Sequence, residues 1–366
     1  MLREIILEEI KRSGKITFSR FMELSLYHHE YGYYNTYREK IGKSGDYYTS
    51  PALHPIFGKL ICNKIYHLWE ELEKPCEFSI AEMGAGKGFL CYDILTHMEE
   101  KYPDLFSEVC YCISEVSRAS LSYQKDYLAS YMKTGKVIYQ EPHMRSEKGH
   151  PFTGCFLSNE LVDSFPVHVV RMESERLREI YVTQENGSFR EVAGELSTQE
   201  IEHYLSDYGI TLLESQRAEV NLSARHWLKG IATSLVKGFI ITIDYGCIAE
   251  DLYSPYRMDG TLTCYSRHTV LYNPYVNIGT QDITAHINFS DLIEYGKKLG
   301  LEVVLFMPQY KFLMEAGLLE VLESMGRDTR GIHAKKELLA AKNFLLSGGM
   351  GSTFKVLVQK KNETTH

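Results

Sequence analysis

One short stretch, residues 78–95, constrains the fold of this chain more than any other. It consists of an apolar run, a turn with glycine at every second position, and a run with helical spacing. Glycine lets a turn adopt positive φ and lets the backbone approach a ligand closely. The helix that follows presents free N–H groups and a partial positive charge at its first turn. Such a strand–turn–helix unit predicts a site for an anionic group at the start of the helix.

The spacing of these glycines separates two classes of nucleotide site. A dinucleotide site requires the pattern G-x-G-x-x-G, whereas this chain has Gly84, Gly86 and Gly88, preceded by Glu82. An acidic residue there suits a ligand with a cationic part and repels a pyrophosphate. S-adenosylmethionine, with its amino acid end, sulfonium and ribose, fits this pattern better than NAD. The turn alone leaves open another nucleotide site, or a glycine-rich turn without a ligand.

Length and composition limit the remaining classes. The chain has 366 residues, enough for a full α/β domain with a substantial elaboration. A net charge of −8 without a basic block argues against nucleic acid as the main partner. The eight cysteines are scattered without a C-x-x-C pair, so we expect neither a disulfide framework nor a metal site. This cysteine usage, an amphipathic rather than signal-like N-terminus and the lack of a membrane-length apolar run predict a cytoplasmic protein without membrane insertion.

Apolar segments predict a sheet of seven strands, with the last two near the C-terminus. They are residues 78–82, 109–115, 136–141, 154–160, 238–246, 301–306 and 353–359. Residues 167–230 break the alternation of strands and helices: strands are expected at 167–171 and 179–183, and helices at 198–206 and 216–232. The connections 27–51 and 260–286 show no regular period, and we predict irregular loops there.

Polar side chains follow the second and third predicted strands at their carboxyl ends, where open α/β sheets bind their ligands. Glu115 ends the second strand and is the predicted ribose ligand, with a solvent-exposed glutamate as the alternative. Gln140 and Glu141 end the third strand, and one or the other is predicted to reach the adenine. Gly84, Gly86 and Gly88 would admit the methionine part of the cofactor, with Glu82 near its amino group.

The next two strand ends carry the candidate catalytic residues. Asn159 and Glu160 end the fourth strand, and Asp244 ends the fifth, which is apolar throughout and therefore central. His286 lies in the second irregular connection and is a candidate proton acceptor. The two carboxylates at adjacent strand ends are the predicted centre of the chemistry, with Asn159 orienting them.

Seven motifs in this order resemble the MidA-like family of class I adenosylmethionine-dependent methyltransferases. They are residues 21–24, 29–34, 45–51, 82–88, 159–161, 243–246 and 279–286. The mitochondrial members of that family assist respiratory complex I assembly by methylating an arginine of one subunit. The resemblance runs from about residue 15 to about residue 358 and is loose over residues 170–235. It adds Asp46, Thr49 and Ser50, from one of these motifs, to the predicted cofactor site.

The resemblance implies an α/β fold of the Rossmann-like class I methyltransferase type, in which the last strand inserts antiparallel into a seven-stranded sheet. The domain limits predicted with it are a helical and loop cover at 1–75, a catalytic core at 76–170 and 236–360, and an inserted α+β substrate lobe at 171–235. The cofactor would be S-adenosylmethionine, and the partner a protein segment containing an arginine. A homodimer is one option for an oligomeric state that the sequence leaves open.

An arginine acceptor sets a chemical requirement, because the pKa of its guanidinium lies above about 12 and rules out prior deprotonation. Carboxylates must therefore orient the group and collect the proton as the methyl arrives, which is the role predicted for Glu160 and Asp244. Two alternatives stay open. One is a cofactor-binding assembly factor without turnover, and the other is a methyltransferase acting on a small molecule. The glycine spacing and Glu82 disfavour a dehydrogenase.

Overall fold

The computed structural model describes residues 1–42, 45–140, 152–327, 338–339, 341–342, 344 and 353–363. The strands within these ranges are β1 (Ile16–Thr17), β2 (Phe78–Met83), β3 (Val109–Ser114), β4 (Val137–Tyr139), β5 (Phe152–Asn159), β6 (His168–Glu173), β7 (Arg176–Glu185), β8 (Ser188–Gly194), β9 (Arg217–Val220), β10 (Leu235–Cys247), β11 (Thr263–Ser266), β12 (Thr269–Leu271), β13 (Asp282–Thr284), β14 (Ile287–Asn288), β15 (Glu302–Pro308) and β16 (Phe354–Lys361).

The helices within the same ranges are α1 (Leu2–Ser13), α2 (Phe18–Tyr27), α3 (Ser50–Leu53), α4 (Ile56–Glu71), α5 (Phe89–Lys101), α6 (Pro103–Glu108), α7 (Arg118–Tyr127), α8 (Ala129–Lys133), α9 (Glu200–Ser206), α10 (Leu222–Ser234), α11 (Ala249–Leu252), α12 (Phe289–Lys298), α13 (Gln309–Glu315) and α14 (Leu318–Arg327). Among the described residues, no helix combines the length and the apolarity that crossing a bilayer requires.

The chain divides into two compact units. The N-terminal unit comprises Met1–Tyr47, Val162–Leu228 and Gly246–Tyr295, and the sheet unit comprises Tyr48–Leu161, Lys229–Tyr245 and Gly296–His366. The domain limits expected from the sequence stay a prediction.

The sheet unit contains the large, mostly parallel sheet, in the order β15-β16-β10-β5-β2-β3-β4. Strands β2, β3, β4, β5 and β10 are parallel to one another, whereas β16 runs antiparallel to both β10 and β15. The predicted α/β class and the antiparallel last strand are therefore confirmed. Both faces of a parallel sheet are covered, so its strands are mostly apolar runs such as Phe239–Ile243, in which every residue is buried. Helices α4 and α5 share one core with this sheet.

The N-terminal unit has a sheet of its own, in the order β1-β7-β6-β9 with β8 on β7. Helix α2 begins at Phe18, because the Thr17 side chain accepts a hydrogen bond from the backbone N–H of Arg20 and caps the helix. Apolar residues of α1 and α2, such as Ile6 and Phe21, share a buried cluster with Ile180 of β7. In the same unit the end of β10 pairs with the two-residue strand β14, so the predicted count of seven strands is not exact.

Two predictions about secondary structure are wrong. The segment predicted as a helix at 216–232 contains strand β9, which pairs antiparallel with β6, and α10 begins only at Leu222. The connection 260–286, predicted to be irregular, contains the small sheet β12-β11-β13. Strand β9 and the strands of the small sheet are all short, at three or four residues each. Periodicity cannot assign such short runs to a strand or a helix, because the pairing that decides between them is not a local feature.

Candidate active site

The glycine turn lies at the carboxyl end of β2, as the sequence predicts. Gly84, Gly86 and Gly88 have φ values of +72°, +54° and +79°, the left-handed region that favours glycine. A Cβ atom at Gly84 would lie 2.7 Å from Leu161 Cδ1. A side chain at Gly84 is therefore excluded, and the glycine there leaves the open backbone that a closely approaching ligand requires. Gly88 is the N-cap of α5, so the free N–H groups of this helix begin at the turn.

The peptide units of Gly86 are held from two sides. Its N–H donates to Glu115 Oε2 at 3.0 Å, and its carbonyl accepts from Gln124 Nε2 at 2.7 Å. The other carboxylate oxygen of Glu115 accepts from the Ser117 N–H at 2.8 Å. Glu115 thus lies against the turn, and its role as a ribose ligand stays a prediction. No motif or spacing in the sequence points to Gln124, which lies on α7.

Glu82 is buried at the end of β2 with 3% of its surface exposed. The hydroxyl of Tyr111 on neighbouring β3 donates to its Oε2 at 2.7 Å. Burial raises the pKa of Glu82 to about 7; the Glu115 charge adds to this shift, and the Tyr111 hydrogen bond opposes it. A carboxyl group with this pKa changes its charge readily near neutral pH when a cation is placed beside it.

Glu160 follows β5 in an unusual backbone conformation. Its φ is +52°, which is uncommon for any residue other than glycine, asparagine or aspartate. Its carboxylate Oε1 accepts hydrogen bonds from the Ser50 N–H at 3.0 Å and from Asn159 Nδ2 at 3.1 Å. Its own N–H donates to the Ile243 carbonyl at 2.9 Å. Several contacts thus fix the position of the group, and Asn159 and Ser50 are brought together with it.

Asp244 lies beside Glu160, because β5 and β10 are parallel neighbours with Asn159 opposite Ile243. It is fully buried. Its Oδ2 accepts from the Leu161 N–H at 3.1 Å, and its Oδ1 accepts from the Tyr245 N–H at 2.9 Å. The Leu161 backbone therefore binds the Asp244 carboxylate, while its side chain lies against the glycine turn. Sequence reasoning missed this role, although Leu161 is the third residue of a motif that carries the family resemblance.

Two predicted site residues belong to the N-terminal unit. The Asp46 carboxylate is buried and accepts from the Tyr33 hydroxyl at 2.8 Å, from the Arg267 N–H at 2.7 Å and from the Arg38 guanidinium. Burial, with the nearby charge of Arg257, lowers the pKa of His286 to about 4. An imidazole with this pKa is neutral at pH 7 and is a weak base. The cofactor role of Asp46 and the proton-accepting role of His286 stay predictions.

The remaining predicted cofactor residues lie in or next to the sheet unit. Thr49 precedes α3 as its N-cap, and the Gln140 N–H donates to the Ile113 carbonyl at 2.9 Å, which continues the pairing of β4 with β3. Glu141 lies outside the described residues. No group of side chains that could hold a metal ion occurs in the described ranges.

Comparison with known families decides the class of this site. The family model described as "Putative S-adenosyl-L-methionine-dependent methyltransferase" matches residues 60–307, which include β2, the glycine turn, Glu160 and Asp244. The chain belongs to this family. The family resemblance and the cofactor predicted from the glycine spacing, S-adenosylmethionine, are confirmed, and the enzyme is a methyltransferase.

Similar proteins agree over nearly the whole chain. A crystal structure of a protein from Burkholderia thailandensis bound to S-adenosyl-homocysteine is 27% identical, covers 100% of this chain and 92% of that chain, and has a TM-score of 0.89. The mitochondrial protein arginine methyltransferase NDUFAF7 of Xenopus tropicalis is 26% identical over 98% of this chain and 86% of its own length. The human NDUFAF7 is 29% identical over 87% of this chain and 73% of its own length.

These relatives correct one prediction. The cysteine usage and the N-terminus favoured a cytoplasmic location, and the comparisons contradict it, because the relatives are mitochondrial proteins. Free cysteines indicate a reducing compartment, which does not single out the cytoplasm.

Proposed function

We propose that this methyltransferase acts on the guanidinium group of an arginine in a protein segment. The observation that carries the proposal is the pair of carboxylates, Glu160 and Asp244, at adjacent strand ends next to the glycine turn. Each is fixed by hydrogen bonds from the protein, so each has a defined orientation. Paired carboxylates bind a guanidinium directionally, because its N–H groups form a planar fork. The names of the relatives, protein arginine methyltransferases, support the same substrate class.

The glycine turn, Glu82 and Glu115 would hold the cofactor in this proposal. The three glycines have positive φ values, and a Cβ atom at Gly84 would lie 2.7 Å from Leu161 Cδ1. A ligand could therefore approach the backbone at a position where a side chain does not fit. When bound, S-adenosylmethionine supplies an electrophilic methyl group on its sulfonium. Glu82 would face its amino group, and Glu115 its ribose hydroxyls. Gln140 would lie toward the adenine.

Glu160 and Asp244 act on the acceptor in two ways. They hold the guanidinium so that one nitrogen points toward the methyl group, and positioning of this kind can lower a barrier by about 7–11 kcal/mol. One of them would also accept the proton that this nitrogen loses as it gains the methyl group, since the methylated guanidinium keeps a single positive charge. Asn159 orients Glu160 through the 3.1 Å hydrogen bond to its Oε1. His286, with a pKa of about 4, is the weaker candidate for the proton.

The test compares carboxyl-to-amide variants in methyl transfer to a peptide library in which each arginine peptide has a lysine counterpart. We expect the wild-type protein to methylate arginine peptides. Glu160→Gln and Asp244→Asn should each lower kcat by about 100-fold or more, the cost of losing one preorganised electrostatic group. Their affinity for S-adenosylmethionine, measured by calorimetry, should stay within a few fold of wild type.

Glu77→Gln is the matched control. Glu77 is exposed and precedes β2, so six strand residues, about 20 Å, separate it from the glycine turn. It should leave both affinity and kcat unchanged. Full activity in Glu160→Gln and Asp244→Asn would refute the assignment of these carboxylates. Methylation of lysine peptides alone would refute the arginine acceptor, and cofactor binding without transfer to any peptide would favour an assembly factor without turnover.

A further inference from the structure

The glycine turn is held by a side chain that no motif contains. Gln124 lies on α7, is fully buried, and donates from Nε2 to the Gly86 carbonyl at 2.7 Å. Its Cγ lies 3.4 Å from the position that a Cβ atom at Gly88 would take. Gln124 therefore contacts the turn at two of its three glycines.

The other end of the Gln124 amide indicates why the residue is there. Its Oε1 is buried and has no hydrogen-bond partner within the part of the chain that the structure describes. Burying an acceptor in this way costs stability. Packing against Gly88 would be served equally by methionine, which has the same length and no such cost. The feature that only the amide supplies is the hydrogen bond to the Gly86 carbonyl.

That hydrogen bond completes a symmetric restraint on one residue. Gly86 has a φ of +54°, and its N–H is bound by Glu115 while its carbonyl is bound by Gln124. The two side chains come from different elements, the end of β3 and the middle of α7. Because glycine has the most conformational freedom of any residue, an unrestrained turn would populate other conformations, and a ligand would bind only the fraction that is competent.

We propose that Gln124 is a positioning residue for cofactor binding, which holds the Gly86 carbonyl so that the turn is preformed. The proposal rests on the proposed placement of S-adenosylmethionine at the glycine turn. It predicts that removing the donor weakens cofactor binding more than it weakens folding. Its test uses binding alone, so it does not depend on which acceptor the enzyme methylates.

The experiment is calorimetric titration of S-adenosylmethionine into the wild-type protein and two variants, with thermal unfolding of each. Gln124→Met removes the donor and keeps the volume. We expect its dissociation constant to rise by about 5- to 100-fold, the range for leaving one partly buried carbonyl unpaired. Gln309→Met is the matched control, since Gln309 is also fully buried with an unpaired amide among the described residues. Gln309 directly follows β15, which is the fourth strand along the sheet from β2 and therefore about 19 Å from it. Gln309→Met should bind the cofactor with wild-type affinity.

Gln124→Glu gives a readout that a purely structural role would not move. An ionised carboxylate cannot donate to the Gly86 carbonyl, whereas a protonated one can. Relative to wild type at the same pH, the affinity of Gln124→Glu should therefore recover as pH falls from 8 to 5, and that of Gln124→Met should not.

Three outcomes separate this proposal from the placement of the cofactor. Wild-type affinity in Gln124→Met would overturn the role of Gln124. An equal loss in Gln124→Met and Gln309→Met would also overturn it, because the effect would then be general destabilisation. If Gly84→Ala binds as wild type does, the cofactor lies elsewhere, and the placement at the turn fails whatever Gln124 does.

Discussion

Gly84→Ala should damage both folding and cofactor binding, for two separable reasons. Alanine at a φ of +72° carries a strain of about 1–2 kcal/mol. Its Cβ would also lie 2.7 Å from Leu161 Cδ1, so that the leucine must leave its preferred rotamer, at about 1 kcal/mol. The free energy of unfolding should fall by about 2–3 kcal/mol in total. The affinity for S-adenosylmethionine should fall at least tenfold, because the shift occurs in the turn itself.

Gly135→Ala isolates the strain from the contact. Gly135 lies in the same unit, has a φ of +74°, and a Cβ atom there would have no neighbour within 4 Å. This variant should lose only about 1–2 kcal/mol and should keep full affinity. Leu161→Ala, combined with Gly84→Ala in a double-mutant cycle, measures the contact directly. The double variant should be more stable than the sum of the single losses predicts, by about 1 kcal/mol.

The assay is urea unfolding of the four variants and the wild type, followed by calorimetric titration of S-adenosylmethionine. Two results would refute the reasoning. If Gly84→Ala is no less stable than Gly135→Ala, the contact with Leu161 does not lower the free energy of unfolding. If Gly84→Ala binds the cofactor as tightly as the wild type does, the backbone at Gly84 is not part of the binding surface.

Two further predictions concern the sheet unit. Burial raises the pKa of Glu82 from its usual 4.5 to about 7, so the folded state holds this proton longer than the unfolded state, and stability falls as pH rises between these values. Urea unfolding should show Glu82→Gln gaining about 3 kcal/mol relative to wild type between pH 4 and pH 8, and a flat difference would contradict the shift. A Cβ atom at Gly58 on α4 would lie 2.5 Å from the Asp93 Cβ on α5, so Gly58→Ala should destabilise the fold by about 2 kcal/mol despite its higher helix propensity. The same measurement on Gly326→Ala, in open space on α14, should show a gain of up to about 1 kcal/mol, and equal effects would refute the contact.

The sheet could be predicted because parallel strands are apolar along their whole length. Residues 238–246, predicted as a central strand, lie within β10, which has β5 and β16 on its two sides. Strand β9 could not be predicted in this way. The local helix propensity of Arg217–Glu219 favours a helix, and these residues form a strand because they pair antiparallel with β6. That edge lies about 50 residues away in the sequence, and local propensity is a weak signal against such pairing.

The positions of the site residues could also be predicted from the sequence, whereas their hydrogen-bond contacts could not. Strand ends bring Glu115, Glu160 and Asp244 to one edge of the sheet whatever the loops do. The hydrogen bond from the Ser50 N–H to Glu160, by contrast, joins residues 110 apart in the sequence. No periodicity or spacing indicates that partner, nor does any motif indicate that Gln124 reaches the Gly86 carbonyl.

The left-handed backbone of Glu160 connects the two halves of the site. A glutamate at a φ of +52° carries a cost of about 1 kcal/mol or more, and such strain persists only where the surroundings fix it. Here the Glu160 N–H is bound to the Ile243 carbonyl, and the next N–H, that of Leu161, is bound to Asp244. The turn that this conformation makes also brings the Leu161 side chain against Gly84. A single strained residue therefore presents one carboxylate, fixes the second through Leu161 and brings the Leu161 side chain against the glycine turn, so the acceptor and cofactor regions proposed above share one stretch of backbone.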